Sequence, residues 1–328
     1  MRGRAAARRE AERGGATYRR DMPDPARELS RRARARVLRR RLVAETRALM
    51  HGHDLSLASA GAALYGALCV VPSVLVAVGL AQVVLGRDAL QRYGGALADA
   101  LPTAIGADQA AHRVIEAGVT LGPLGIVLAV VMGSAYGEGL SRALARFAPV
   151  DPDARPPRLL LRVATLPLLG LAPLLLAGLL LTAPWLGQTA NGSGGGVALA
   201  SYVSLTLVWV LTWLPLTWTF RVVGPGRPSW RAALIGAVVT GAFVSGFLQG
   251  FLLFCSLPID LARPFGGLAG VGVACALLLW LWVLHAVVLV GYSFTWALHA
   301  VLAGEDLQQR VRLTRDPGAV NAVAAGGH

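Results

Sequence analysis

Five stretches of this chain contain no Asp, Glu, Lys or Arg: Leu57–Leu85, Ala117–Gly137, Val163–Phe220, Ala232–Ile259 and Pro264–Gly304. A helix needs about 20 mostly apolar residues to cross roughly 30 Å of hydrocarbon, and every one of these stretches is long enough. A water-soluble fold would have to bury them on all sides. The chain has too little polar surface for that, since only 15% of it is charged, against about a quarter in soluble domains. The stretches therefore read as membrane spans. Val163–Phe220 has room for two, and the turn-forming tract QTANGSGGG (Gln188–Gly196) divides it. The pattern predicts an all-α polytopic membrane protein, a bundle of six spans near 57–85, 117–140, 163–186, 197–220, 232–256 and 267–300.

Charge orients that bundle. The net charge is +13, and all 31 basic residues are arginine. Six spans place 27 of them on one side: 16 in the first 50 residues, Arg142, Arg146, Arg155, Arg158 and Arg162 between spans two and three, Arg221, Arg227 and Arg231 between four and five, and Arg310, Arg312 and Arg315 after the last. Only Arg87, Arg92, Arg113 and Arg263 fall on the other side. Basic residues concentrate on the cytoplasmic side, so both termini are expected in the cytoplasm and the chain in the cytoplasmic (inner) membrane. An odd number of spans would scramble the asymmetry.

Outside the spans, residues 1–25 have the composition of a disordered basic tail. They give no signal-peptide pattern. Residues 26–50 repeat Leu29, Ala33, Val37, Leu38, Leu42 and Leu49 at near-helical spacing among arginines. That fits a basic amphipathic helix at the inner leaflet, against anionic lipid headgroups. A solvated charged helix and an RNA-binding arm are the competing readings; the tract lacks aromatics for base stacking apart from Tyr18, and no nucleic acid is expected. Residues 51–304 form the membrane domain and 305–328 a cytoplasmic tail. Between spans one and two, Arg87–Glu116 predicts short helices resting on the outer face. Cys69, Cys255 and Cys275 fall in spans with no zinc spacing, and read as small buried hydrophobes. Nothing in the pattern sets an oligomeric number, although a homo-oligomer is compatible with it.

Polar residues inside spans are the candidate functional groups, because burying them is expensive. Glu138 and Arg142 are four apart near the inner end of span two and can pair along one helix face. They read as an interfacial pair or as a gate. His285 lies deep in span six and Gln249 in span five, where each can bond a neighbouring helix or line a path. In span one, ALYGALCVVPSV holds Tyr65, Gly66 and Pro72. Pro72 lacks an N–H and predicts a bend, freeing the carbonyl of Leu68. Gly66, Gly133, Gly137, Gly246 and Gly250 are candidate points of close helix approach. Asp260 and Arg263 read as a local pair in the outer loop between spans five and six. His51 and His53 alone make no metal site. No metal or cofactor is expected.

Several of these pieces resemble the YihY/BrkB family of bacterial inner-membrane proteins, formerly mislabelled ribonuclease BN. In span one, ALYGALCVVP is similar to the family's A-Y-Y-x-L-L-S-L-F-P, with Tyr65, Leu68 and Pro72 in register. SRALARF (Ser141–Phe147) is similar to its R-A-L-N-R element, with Ala145 at the asparagine. PFGGL resembles Y-G-x-L, with Phe265 at the tyrosine. In span six, LLWLWVLHAVVLVGYSFTWAL resembles L-L-W-L-Y-x-x-x-x-x-L-x-G-A-E-L-N; Trp280 and Gly291 match, Trp282 stands at the tyrosine and Ser293 at the acid. The resemblance spans roughly residues 45–300. It implies a polytopic inner-membrane protein related to transport, substrate unspecified.

A ribonuclease or other hydrolase needs acid–base groups or metal ligands gathered at an accessible surface. The loops offer arginines instead, with no HExxH or GxSxG element, and a GxxxxGK loop is impossible without lysine. The expectation is a transport-related membrane protein rather than an enzyme, with a membrane scaffold as the alternative.

Overall fold

The computed structural model describes residues 25–99, 106–150, 157–181, 194–256 and 259–304. The expectations for a disordered first segment and for the C-terminal tail lie outside those residues, as does the QTANGS portion of the interspan tract. The chain divides into two compact units, Met1–Ala44 and Glu45–His328. All regular structure among the described residues is helical.

Helix α1 (Pro25–Met50) begins on a proline, whose missing N–H costs nothing at a helix start. Up to Ala44 it is the first unit's described element. Arginines lie all around its circumference, and Val37 and Leu38 are exposed among them.

In the second unit α2 (Leu55–Leu85) starts where the Asp54 side chain accepts from the Leu57 N–H at 2.9 Å. Such a cap contributes about 1 kcal/mol. Asp54→Ala should lower stability by that amount, read as a small fall in the thermal midpoint in detergent, and an unchanged midpoint would show that the cap is dispensable. The helix continues through Pro72 to Leu85, and Gly86 ends it at φ +80°.

Next come α3 (Arg87–Asp99) and α4 (Ala107–Thr120), the short helices expected between the first two spans. Gly94 lets Ile115 of α4 close against α3, and Gly118 does the same for Val78 of α2. A small core of Val78, Ala81, Leu90 and Val119 fastens the pair to the second half of α2. His112 and Asp99 meet at 3.1 Å across it.

Helix α5 (Pro123–Ala145) begins at a Gly122–Pro123 step. That is a correction to the span expected from residue 117: residues 107–120 belong to α4, and an uncharged run cannot reveal a break made by Gly and Pro. The remaining long helices are α6 (Arg158–Leu181), α7 (Gly194–Trp218, with a π turn at Thr219–Val223), α8 (Trp230–Ser256) and α9 (Ala269–Ala303). Asp260 does not pair with Arg263. Its carboxylate accepts from the Ala262 N–H at 2.9 Å, a turn bond available two residues away.

Five helices among the described residues are long and apolar enough to cross a membrane: Leu55–Leu85, Pro123–Ala145, Tyr202–Val223, Trp230–Phe251 and Ala269–Ala303. Their outward side chains are apolar; Val83 and Val84 are 86% and 81% exposed. In water such a surface would aggregate. In a bilayer it meets hydrocarbon. Successive neighbours in space are α7, α8, α9, α2, α5 and α6, and the Trp218 indole N–H donates to the Ala164 carbonyl at 2.7 Å to bring α6 back to α7.

The main core is lopsided. It draws on the start of α2 (Ala58, Ala62), the end of α5 (Leu140, Leu144) with Phe147, the end of α7 with its π turn (Leu216, Phe220, Val223), the start of α8 (Ala233, Ala237) and the end of α9 (Tyr292, Trp296). One end of the bundle is thus filled by large side chains. Glycine facing threonine sets the spacing there. Gly236 faces Thr295 while Thr240 faces Gly291, so each helix of the α8–α9 pair offers a glycine to the other's threonine. Gly137 of α5 faces Thr165 of α6 likewise. Thr165 and Thr295 turn their hydroxyls back to the carbonyls of Leu161 and Gly291, which leaves a compact branched surface for the opposing glycine.

Candidate functional site

Near the middle of three long helices, α2, α5 and α9 bring Gly66, Tyr136 and His285 together. His285 Nδ1 lies 2.7 Å from the Leu281 carbonyl, which can only accept, so Nδ1 carries the hydrogen. In the neutral ring Nε2 is then the acceptor, and the Tyr136 hydroxyl, 3.0 Å away, donates to it. The two rings meet edge to face at 5.8 Å. A Cβ on Gly66 would stand 3.0 Å from His285 Cε1 and 3.6 Å from the Tyr136 ring. Glycine at 66 is therefore what lets α2 lie over the imidazole. His285 is 6% exposed. The result is a polar pair with defined donor and acceptor, buried among apolar side chains.

A second polar group sits at the filled end of the bundle. The Glu138 carboxylate is buried, and Arg142, one turn on, reaches it at 2.5 Å. Two more arginines come from α6: Arg158 Nε at 3.4 Å and Arg162 Nη2 at 3.6 Å. One acid thus holds three guanidiniums and ties α5 to α6.

The candidate residues do not form one path. Tyr136 and Glu138 are two apart on α5 and face different neighbours, α9 and α6. The Tyr65 ring lies against Gly139 of α5, and Pro72 lies against Gly133, whose added Cβ would be 3.6 Å from the proline ring. Gln249 sits on the α7–α8 interface, donating to Ser204 at 3.2 Å beside a Ser245-to-Leu205 bond of 3.0 Å. Among the glycines, Gly133 meets Leu169 and Gly137 meets Thr165. Among the described residues Gly246 has no side chain within 4 Å, and Gly250 meets Trp280 only at ordinary contact distance, 3.6 Å. On α8 close approach falls at Gly236 and Gly241 instead.

Sequence reasoning passed over Tyr136, although a hydroxyl-bearing residue in the middle of an uncharged run is itself a signal. It also counted Arg158 and Arg162 only as topology markers. Cys69 is buried, Cys275 is exposed on α9 rather than buried as expected, and the side chain of Cys255 lies outside the described residues. Among the described residues no three of His, Cys, Asp and Glu gather as metal ligands. What the arrangement can do is hydrogen-bond a polar group at mid-depth and hold negative charge at the filled end.

Comparison with known proteins bears on the whole chain. Neither the curated proteins nor the solved structures contain a match. A family model described as virulence factor BrkB does match, over residues 48–313. That range takes in all the long helices from α2 to α9, and the chain belongs to this family, YihY/BrkB, as a multi-pass membrane protein.

Proposed function

We propose that this chain is a six-span protein of the cytoplasmic membrane that passes a small solute or a lipid-like substrate. The observation that carries the reading is the Tyr136–His285 pair beside Gly66. An ionisable residue deep in a span marks a functional site by default, because burying it is costly, and this one lies where three helices meet, next to the filled end of the bundle. A bundle filled at one end with a polar group beyond the plug is a reasonable resting state for a transport protein. Helix α6 supplies the sixth crossing in this reading. The arginine asymmetry then puts both termini and the Glu138 end on the cytoplasmic side. The arginines of Pro25–Ala44 meet anionic headgroups there. The reading assigns no catalytic step, no cofactor and no nucleic-acid partner.

Flux from liposomes containing the purified chain tests it. A panel of small solutes and short-chain fluorescent lipids should include at least one that escapes faster than from empty vesicles. His285→Phe, purified in equal amount, should cut that flux about tenfold or more. No flux across the panel, with a stable co-purifying protein, would support the membrane scaffold instead.

A further inference from the structure

We propose that Arg142, Arg158 and Arg162 form a binding site for a phosphate-bearing anion, with Glu138 as its internal counter-ion. All three guanidiniums converge on one carboxylate. Glu138 is the only acid they meet among the described residues, so the group carries two positive charges in excess. Exposure is divided to suit a ligand. The Glu138 side chain is only 11% exposed, whereas Arg142, Arg158 and Arg162 are 50%, 78% and 40% exposed. The acid is enclosed and the cations open outward.

Donor count points the same way. A guanidinium has five N–H donors in a planar fork. Two carboxylate oxygens cannot occupy the donors of three such groups, and those left over lie on the open side. The fork matches phosphate oxygens in pairs. Arg158 is also the first residue of α6, a 24-residue helix, so the backbone N–H groups at the start of that helix add partial positive charge nearby. Like charges this close repel. Glu138 holds them in place but does not neutralise them; an incoming phosphate dianion would, and a phosphodiester would halve the excess. Arg142 and Glu138 come from one helix and Arg158 and Arg162 from the next, so the bound anion would bridge α5 and α6.

The site does not rest on the transport reading, and its test reads binding rather than flux. Full-length protein in a non-ionic detergent is titrated calorimetrically with inorganic phosphate, with dioctanoyl phosphatidylglycerol, and with dioctanoyl phosphatidylcholine as a zwitterionic control. Saturable binding of phosphate identifies a free anion as sufficient; binding of phosphatidylglycerol alone identifies a lipid headgroup. Either result supports the site if Arg158→Ala and Arg162→Ala each weaken it about tenfold, the scale of one hydrogen bond to a charged group. Arg158 is mostly exposed, so its variant keeps the fold, checked by helical circular dichroism. Glu138→Gln separates a binding role from a purely structural one. It removes the competing charge and should tighten the anion several-fold. Absence of binding by the wild-type chain, or binding that is unchanged in both Arg158→Ala and Arg162→Ala, overturns the proposal.

Discussion

Replacing Gly291 with leucine is expected to cost about 3 kcal/mol or more and to leave little folded protein after extraction into detergent. The reason is the reciprocal fit of α8 and α9. Even one Cβ at 291 would come within 2.6 Å of Thr240 Cγ2 and 2.8 Å of Thr240 Cβ, and closer still to the hydroxyl. Neither residue can turn away. Thr240 is 2% exposed and branched at Cβ, so its rotamers are few. The helices must therefore separate. Separation also disturbs the second contact one turn along, Gly236 against Thr295, because both lie on the same two faces. A milder pair isolates the contact. Gly291→Ala alone should destabilise, and Thr240→Gly alone should lose contact area. Combined, they swap large for small at one point, and the double variant should be more stable than the two single effects predict by about 1 kcal/mol. Thermal midpoints followed by tryptophan fluorescence give the cycle. Strict additivity would mean that the two residues do not share the interface.

That contact shows where a sequence stops being readable. Glycine at spacing four marks a surface that allows close approach, yet it does not say which neighbour comes. Gly246 and Gly250 satisfy the spacing, and among the described residues one meets no side chain within 4 Å and the other only an ordinary contact. The partner of Gly291 is a threonine 51 positions away on another helix, and spacing within α9 holds no record of it. Local rules did better. Glu138 and Arg142 pair as their separation of four requires, because one helix carries both. Arg158 and Arg162 join the same acid from the next helix, and nothing in their own neighbourhood marks them for it. Uncharged runs located the long helices, since burying charge in hydrocarbon is the strongest constraint on this chain. Their ends followed other physics: Gly122–Pro123 starts α5 inside an uncharged run, and the Asp54 cap starts α2 before one.

Tyr136→Phe is expected to be costly although it removes a single oxygen. The hydroxyl is the donor that satisfies His285 Nε2 at 3.0 Å. Once it is gone, an acceptor is left buried at mid-depth without its donor, and an unsatisfied buried group costs about 1–3 kcal/mol. The ring nitrogen cannot find relief by turning over. Nδ1 is committed to the Leu281 carbonyl at 2.7 Å, and Gly66 leaves only enough room for the imidazole as it lies, with 3.0 Å between its would-be Cβ and Cε1. His285→Met leaves the tyrosine hydroxyl stranded instead and should cost a similar amount. Made together, the two changes replace a polar pair by apolar groups, which can be nearly neutral. The double variant should therefore recover most of the stability lost by either single one, while solute passage, if the pair serves it, stays lost. This split separates a structural bond from a functional one. Stability restored together with flux would reduce Tyr136 and His285 to a device for holding α5 against α9, whereas stability restored without flux would place the pair on the route itself.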